Sequence, residues 1–138
     1  MSKSEVKIGF ILTLVLLSVH LLVIDDYGAT WDFHHHFFAG LWHLGLPMKE
    51  SLTKFLPFAV PDPRGTYDLP FGPIMLVAPT ITYQIFFENL KILAFDNAYN
   101  LAIIVWAVAG IFVLFLFLLE AFNFPTALAG FIFLALLP

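Results

Sequence analysis

The chain has 138 residues, 61% of them hydrophobic and only 12% charged, with a formal net charge of −4 and no cysteine. Soluble domains carry about 25% charged residues, so this composition, with a mean hydropathy of +0.94, excludes an ordinary soluble globule and predicts an all-α integral membrane protein. The scattered lysines leave no footprint for nucleic acid, and the lack of cysteine excludes disulfides and thiolate metal sites.

An apolar helix needs about 20 residues to cross a bilayer, which leaves room for three or four crossings and their loops. The first candidate is residues 8–24, preceded by Lys3 and Lys7 and followed by Asp25 and Asp26. A signal peptide is the competing reading, but Val23-Ile24-Asp25-Asp26 does not provide the small residues a cleavage site needs. A retained span with a cytoplasmic N-terminus follows from the lysines on its leading side. His20, near the outer end, reads as a packed interfacial residue.

The next stretch is polar: residues 25–43 hold three of the ten acidic residues and four of the five histidines. Residues 32–44 predict a short interfacial helix, since Phe33, Phe37, Leu41 and Leu44 share one apolar face. Asp32, His36, Ala39, Gly40 and His43 share another face. Gly45 and Pro47 end the helix. Residues 47–73 hold six prolines, and Pro61-Asp62-Pro63-Arg64-Gly65-Thr66 is turn chemistry. Residues 71–87 are nearly long enough to cross, yet Gly72, Pro73, Pro79 and Gln84 favour a surface-lying or re-entrant helix.

Residues 88–97 read as a mixed polar loop, and 98–119 as the clearest span, 22 residues without a charge. A polar turn at 120–123 leads into a third apolar segment from Phe124, with Pro125 suited to a first helical turn. The expected architecture is three transmembrane helices, with residues 25–97 forming one large external loop that carries interfacial helices. The segment from 131 onward is still hydrophobic at Pro138. The expectation is therefore an N-terminal piece of a larger multi-span fold.

Asp32, flanked by Trp31 and Phe33, has the properties of a general base. Partial desolvation raises a carboxylate's proton affinity, and a base works best with its pKa near working pH. From chemistry alone, the plainer role for Asp32 is a helix N-cap. His34, His35 and His36 cannot converge on one point of a helix, so the pairs that can meet are Asp32 with His36 and His36 with His43. Imidazoles beside a carboxylate can ligate a metal, but no closed ligand motif is present. A histidine cluster meeting lipid headgroups or a substrate phosphate fits the stretch better, and no cofactor or divalent metal is expected to be required.

Thr30-Trp31-Asp32-Phe33-His34-His35-His36, with Gly40 after it, resembles the T-W-D-E-P-x-H…G motif in the first external loop of certain membrane glycosyltransferases. These share the C-type fold of protein O-mannosyltransferases and aminoarabinose transferases. Tyr67-Asp68-Leu69-Pro70-Phe71-Gly72-Pro73 is similar to a second family segment, and the helix ending in Leu-Leu-Pro to a third. The resemblance covers nearly the whole chain in order. It implies transfer of a sugar from a polyprenyl-phosphate donor to a lipid, glycan or protein acceptor on the external face, with no second substrate of nucleic-acid type.

The resemblance also assigns roles to residues. Asp32 maps onto the base that deprotonates the acceptor hydroxyl. His36 and Asp68 become substrate-binding candidates, and Arg64 joins them as a phosphate partner by charge alone, as does Lys54. The chain departs from the family at Phe33, where Glu is expected, and at His34, where Pro is expected. The runner-up from composition is a small non-enzymatic membrane protein, an ion-binding or complex-assembly subunit.

Overall fold

The computed structural model describes residues 2–28, 33–47 and 74–136. Among these the chain is helical without strands. Helix α1 spans Lys3–Leu22, a 3-10 turn comes next at Ile24–Asp26, and α2 spans Phe33–His43. Helix α3 spans Ile74–Tyr83 and continues into a π-helical turn at Gln84–Asn89. Helix α4 spans Phe95–Ala121 and α5 spans Phe124–Ala135.

Two of these helices, α1 and α4, are long and apolar enough to cross a membrane, with mean hydropathies of 1.9 and 3.0 over their most apolar stretches. At 1.5 Å per residue, 20 and 27 residues extend roughly 30 and 40 Å, which matches or exceeds a hydrocarbon core of about 30 Å. Helix α5 has 12 residues, roughly 18 Å. Helix α4 begins at Phe95, three residues ahead of the expected 98, and takes in the end of the expected polar loop.

The chain divides into two compact units, one formed by residues 1–24 and 103–138, the other by residues 25–102. In the first, a capping box starts α1. Ser2 N–H donates to Glu5 Oε2 at 2.9 Å, and Glu5 N–H donates to Ser2 Oγ at 3.4 Å. Hydroxyls inside α1 are satisfied by its own backbone, Thr13 Oγ1 on Gly9 O and Ser18 Oγ on Leu14 O, both at 2.8 Å. Gly9 faces the ring of fully buried Phe115, where a Cβ would collide with three ring carbons. Phe115 also meets Phe124 and Phe131 edge-on, with centroids 6.4 and 6.1 Å apart. Asn123 caps α5 by accepting from Thr126 N–H at 3.0 Å, and Pro125 sits in the first turn.

In the second unit α2 packs on α3, and the small residues of α2 make this contact. Ala39 and Gly40, which the helix period sets on a different face from Phe37 and Leu41, are buried as well. Gly40 lies against the Leu76 carbonyl and the Thr80 hydroxyl, with no room for a Cβ. Thr80 in turn donates to Leu76 O at 2.9 Å. Around this contact Phe37, Phe38, Leu41, Tyr83, Phe95 and Tyr99 form one buried cluster.

Helix α3 contains Pro79, which supplies no N–H and disturbs the preceding turn. Thr82 Oγ1 turns back to Pro79 O at 2.9 Å. The adjoining π turn is closed by Leu90 N–H on Ile85 O and Ile92 N–H on Phe86 O, at 2.9 and 3.0 Å, with Lys91 in the left-handed region (φ 55°). That is a helix C-cap of the kind glycine usually makes.

Gly40→Ala tests the α2–α3 contact. Alanine is favoured over glycine in a helix by up to about 1 kcal/mol, but overpacking costs about 1–3 kcal/mol, and one of the obstructing atoms is a backbone oxygen that cannot rotate away. The variant is expected to unfold at a lower temperature than the parent. Gly110→Ala, where a Cβ meets open space, is expected to unfold at the same or a higher temperature.

Candidate functional site

Asp32, Lys54, Arg64 and Asp68 lie outside the described residues, as do the side chains of His34 and His35. What the structure describes is the frame on both sides of Asp32. On its C-terminal side α2 begins at Phe33, the next residue. On its N-terminal side the chain is described up to Gly28.

Helix α2 is held by Phe37, which is fully buried and ringed by aromatics. Tyr83, Phe95 and Tyr99 meet it edge-on with centroids 4.8, 5.2 and 5.9 Å away, and Phe38 lies tilted at 5.9 Å. Such pairs contribute about 0.5–1.5 kcal/mol each beyond area burial, so Phe37 fixes α2 more firmly than any other described side chain of that helix. His36 is half-buried beside Phe37, and His43 is exposed with its ring 5.0 Å from that of Trp42. The two histidines lie two helical turns apart, and no group of three or more histidine or acidic side chains that could hold a metal occurs among the described residues.

The segment after α1 is held from the first turns of α4. Asn97, 3% exposed, donates from Nδ2 to Asp25 Oδ1. Asn100 donates from Nδ2 to the carbonyls of Tyr27 and Gly28, at 3.3 and 3.5 Å. Asn97 N–H also bonds the neighbouring Asp96 Oδ1 at 3.1 Å. The Asn97 Oδ1 is buried without a hydrogen-bond partner. The amide is aligned with its nitrogen toward the carboxylate, because the flipped orientation would set two acceptors against each other.

A second polar pair sits behind the aromatic cluster. The Tyr83 hydroxyl, on a fully buried ring, donates to Glu88 Oε1. Glu88 is the fifth residue on, the spacing that a π turn aligns. Burial pushes the Tyr83 phenol well above its ordinary range, and its hydrogen bond to Glu88 and the charge of Glu88 push it further in the same direction. A cavity of about 270 Å³ beside this pair is lined by Phe87, Glu88, Lys91 and Leu93.

Glu88 and Asn97 escape a reading by sequence pattern, which places 88–97 in a loop, and so do Tyr83 and Asn100, which it places in apolar segments. A signal was present in Phe95-Asp96-Asn97-Ala98-Tyr99-Asn100. Phe95 and Tyr99 stand four apart, and Asn97 and Asn100 three apart, two faces of one helical turn.

Searches of protein-family models, curated proteins and solved structures each return no match to this chain.

The Tyr83–Glu88 pair predicts an alkaline sensitivity. A phenol whose folded pKa is raised contributes full stability below the unfolded value of 10.0, and that contribution is lost as pH rises from there toward the folded value. Unfolding temperatures of the parent should therefore drop above pH 10 more steeply than those of Tyr83→Phe. Below pH 9 the variant should be the less stable by about 1.5–3 kcal/mol, the worth of a hydrogen bond to a charged group. Parallel pH curves for the two proteins would contradict the assignment.

Proposed function

We propose that the protein is a polyprenyl-phosphate-dependent membrane glycosyltransferase of the C-type fold, with Asp32 as its general base. The observation that carries this reading is the Thr30-Trp31-Asp32 motif directly before α2, on the side of α1 opposite its lysines. Supporting it are two helices with the length and apolarity of membrane spans and a 25–102 unit that folds around its own aromatic cluster.

In this reading α1 runs outward from a cytoplasmic N-terminus, α4 runs inward and α5 runs outward. The 25–102 unit faces the external surface, with α2 and α3 in the headgroup zone. The exposed Trp42, Ile74, Met75, Ile81 and Ile85 suit helices lying in that zone. An acceptor hydroxyl gives its proton to the Asp32 carboxylate as its oxygen attacks the anomeric carbon. The bond from that carbon to the lipid phosphate breaks, and the phosphate leaves with the electron pair. Arg64 and Lys54 neutralise the leaving phosphate, while His36 and Asp68 bind substrate. A displacement of this kind needs electrostatic stabilisation where charge develops, and no metal ion is invoked.

Two experiments test the reading. Because the chain has no cysteine, single cysteines at Thr53, Thr66 and Asn89 report topology cleanly. All three should react with an impermeant thiol reagent in intact cells. Protection at Asn89 alone would mean that residues 71–87 cross the membrane.

The second experiment measures release of polyprenyl phosphate from undecaprenyl- or dolichyl-phosphate mannose by membranes carrying the protein as the cell makes it. General-base help is worth about 10²–10⁴ in rate, so Asp32→Asn should lower turnover by that factor at unchanged protein level. Asparagine caps a helix about as well as aspartate, which separates loss of the base from loss of the cap. Equal turnover by parent and variant would remove Asp32 from the mechanism, and no turnover by the parent would leave the non-enzymatic membrane protein as the better reading.

A further inference from the structure

The cavity beside the Tyr83–Glu88 pair carries one anion and one cation on an otherwise apolar wall. Its lining is Phe87, Glu88, Lys91 and Leu93, around a volume of about 270 Å³. Glu88 is held by the hydroxyl of Tyr83. That ring is fully buried and packed against Phe37, Phe87 and Phe95. A carboxylate offers about four acceptor sites, so the bond from Tyr83 orients Glu88 without exhausting its capacity to accept from a ligand.

Lys91 joins the same wall at a cost in backbone conformation. Its φ of 55° makes it the one non-glycine residue with positive φ among the described residues. Glycine enters that region freely and lysine does not. The helix end does not demand a lysine there, since a cation serves it equally well from ordinary helical backbone in the last turn. Unfavourable backbone retained at a cavity wall points to function. Lys91 is also the one lysine or arginine among the described residues of the 25–102 unit. Its neighbours Leu90 and Ile92 are 55% and 64% exposed. An exposed cation between two exposed apolar side chains suits a membrane interface, where carbon enters the acyl boundary and the ammonium stays at headgroup level.

A ligand that matches this wall carries a negative and a positive group close together, with an apolar body beyond them. We propose that the cavity binds the phosphoethanolamine headgroup of a membrane phospholipid. The phosphate meets Lys91, the ammonium donates to Glu88, and the acyl chains lie along Leu90 and Ile92. A phosphocholine headgroup bears the same charges but has no N–H to donate, and a phosphoglycerol headgroup has no cation for Glu88. The site rests on the placement of the 25–102 unit at the membrane surface given above, and not on the role of Asp32.

The test places the full chain in nanodiscs of equal parts phosphatidylethanolamine, phosphatidylcholine and phosphatidylglycerol. Native mass spectrometry after release from the bilayer measures which lipid stays bound. The parent should retain phosphatidylethanolamine over phosphatidylcholine by about tenfold, the worth of a charge-assisted hydrogen bond that only the former donates. Lys91→Gly suits the backbone at that position and should unfold at the same or a higher temperature than the parent. Its retention of phosphatidylethanolamine should nevertheless fall by about tenfold. Glu88→Gln keeps an acceptor for Tyr83 and removes the charge, so it should bring phosphatidylethanolamine and phosphatidylcholine to within about twofold of each other.

Equal retention of phosphatidylethanolamine by the parent and both variants would overturn the proposal and leave Lys91 serving the helix end alone. A parent that prefers phosphatidylglycerol would overturn it as well, since Glu88 would then have no part in binding. Soluble glycerophosphoethanolamine held as tightly as the lipid would make the cavity a site for the free headgroup, against the assignment to a membrane lipid. Extraction of the chain from cell membranes by alkaline carbonate would instead defeat the membrane placement itself, and the lipid site would fall with it.

Discussion

The absence of a side chain at Gly40 is the constraint on which the 25–102 unit depends. It lets α2 settle directly onto the backbone of α3, against Leu76 O and the Thr80 hydroxyl. Only at that separation can Phe37 reach Tyr83 on α3 and, past it, Phe95 and Tyr99 on α4. A methyl group at position 40 would push α2 outward and loosen every one of those edge-on pairs together. The cluster is therefore set by a backbone contact and then filled with aromatics, rather than the reverse.

A second constraint runs through both units: polar groups within apolar helices turn inward to the backbone. Thr13, Ser18, Thr80 and Thr82 each donate to a carbonyl three or four residues earlier. In water such back-bonding competes with solvent and gains little, whereas an environment without water leaves a hydroxyl no cheaper partner. The same logic applies to α3, where Pro79 removes one helix donor and the ladder lengthens into a π turn within a few residues. Local π adjustments are among the means by which proline is accommodated in apolar surroundings. The turn has a structural consequence, since it brings Glu88 back beneath Tyr83.

How much of this was legible in the sequence depends on the range of each interaction. The apolar helices, Pro125 in a first turn and the helix at 33–43 are all encoded in spacings of a few residues. The face of α2 was not. Ala39 and Gly40 are small, and smallness reads as surface when hydrophobic bulk is the signal, although small residues are what a close helix crossing needs. The early start of α4 was missed because Asp96 and Asn97 look like loop residues until a partner is known. That partner, the 25–28 segment, is 72 residues away. No local period encodes such a contact. Of the candidate site, the motif around Asp32 is a pattern of sequence, whereas the contacts of residues 25–28 and of α2 belong to tertiary structure.

Helix α2 and the 25–28 segment are held by different forces. Aromatic packing fixes α2 strongly but tolerates sliding, because edge-on ring contacts are broad in angle and distance. Amide-to-carboxylate and amide-to-carbonyl bonds are weaker in sum but demand direction. The aromatic cluster therefore carries the stability of the 25–102 unit, and the amide bonds set the point along the chain at which residues 25–28 meet the first turns of α4.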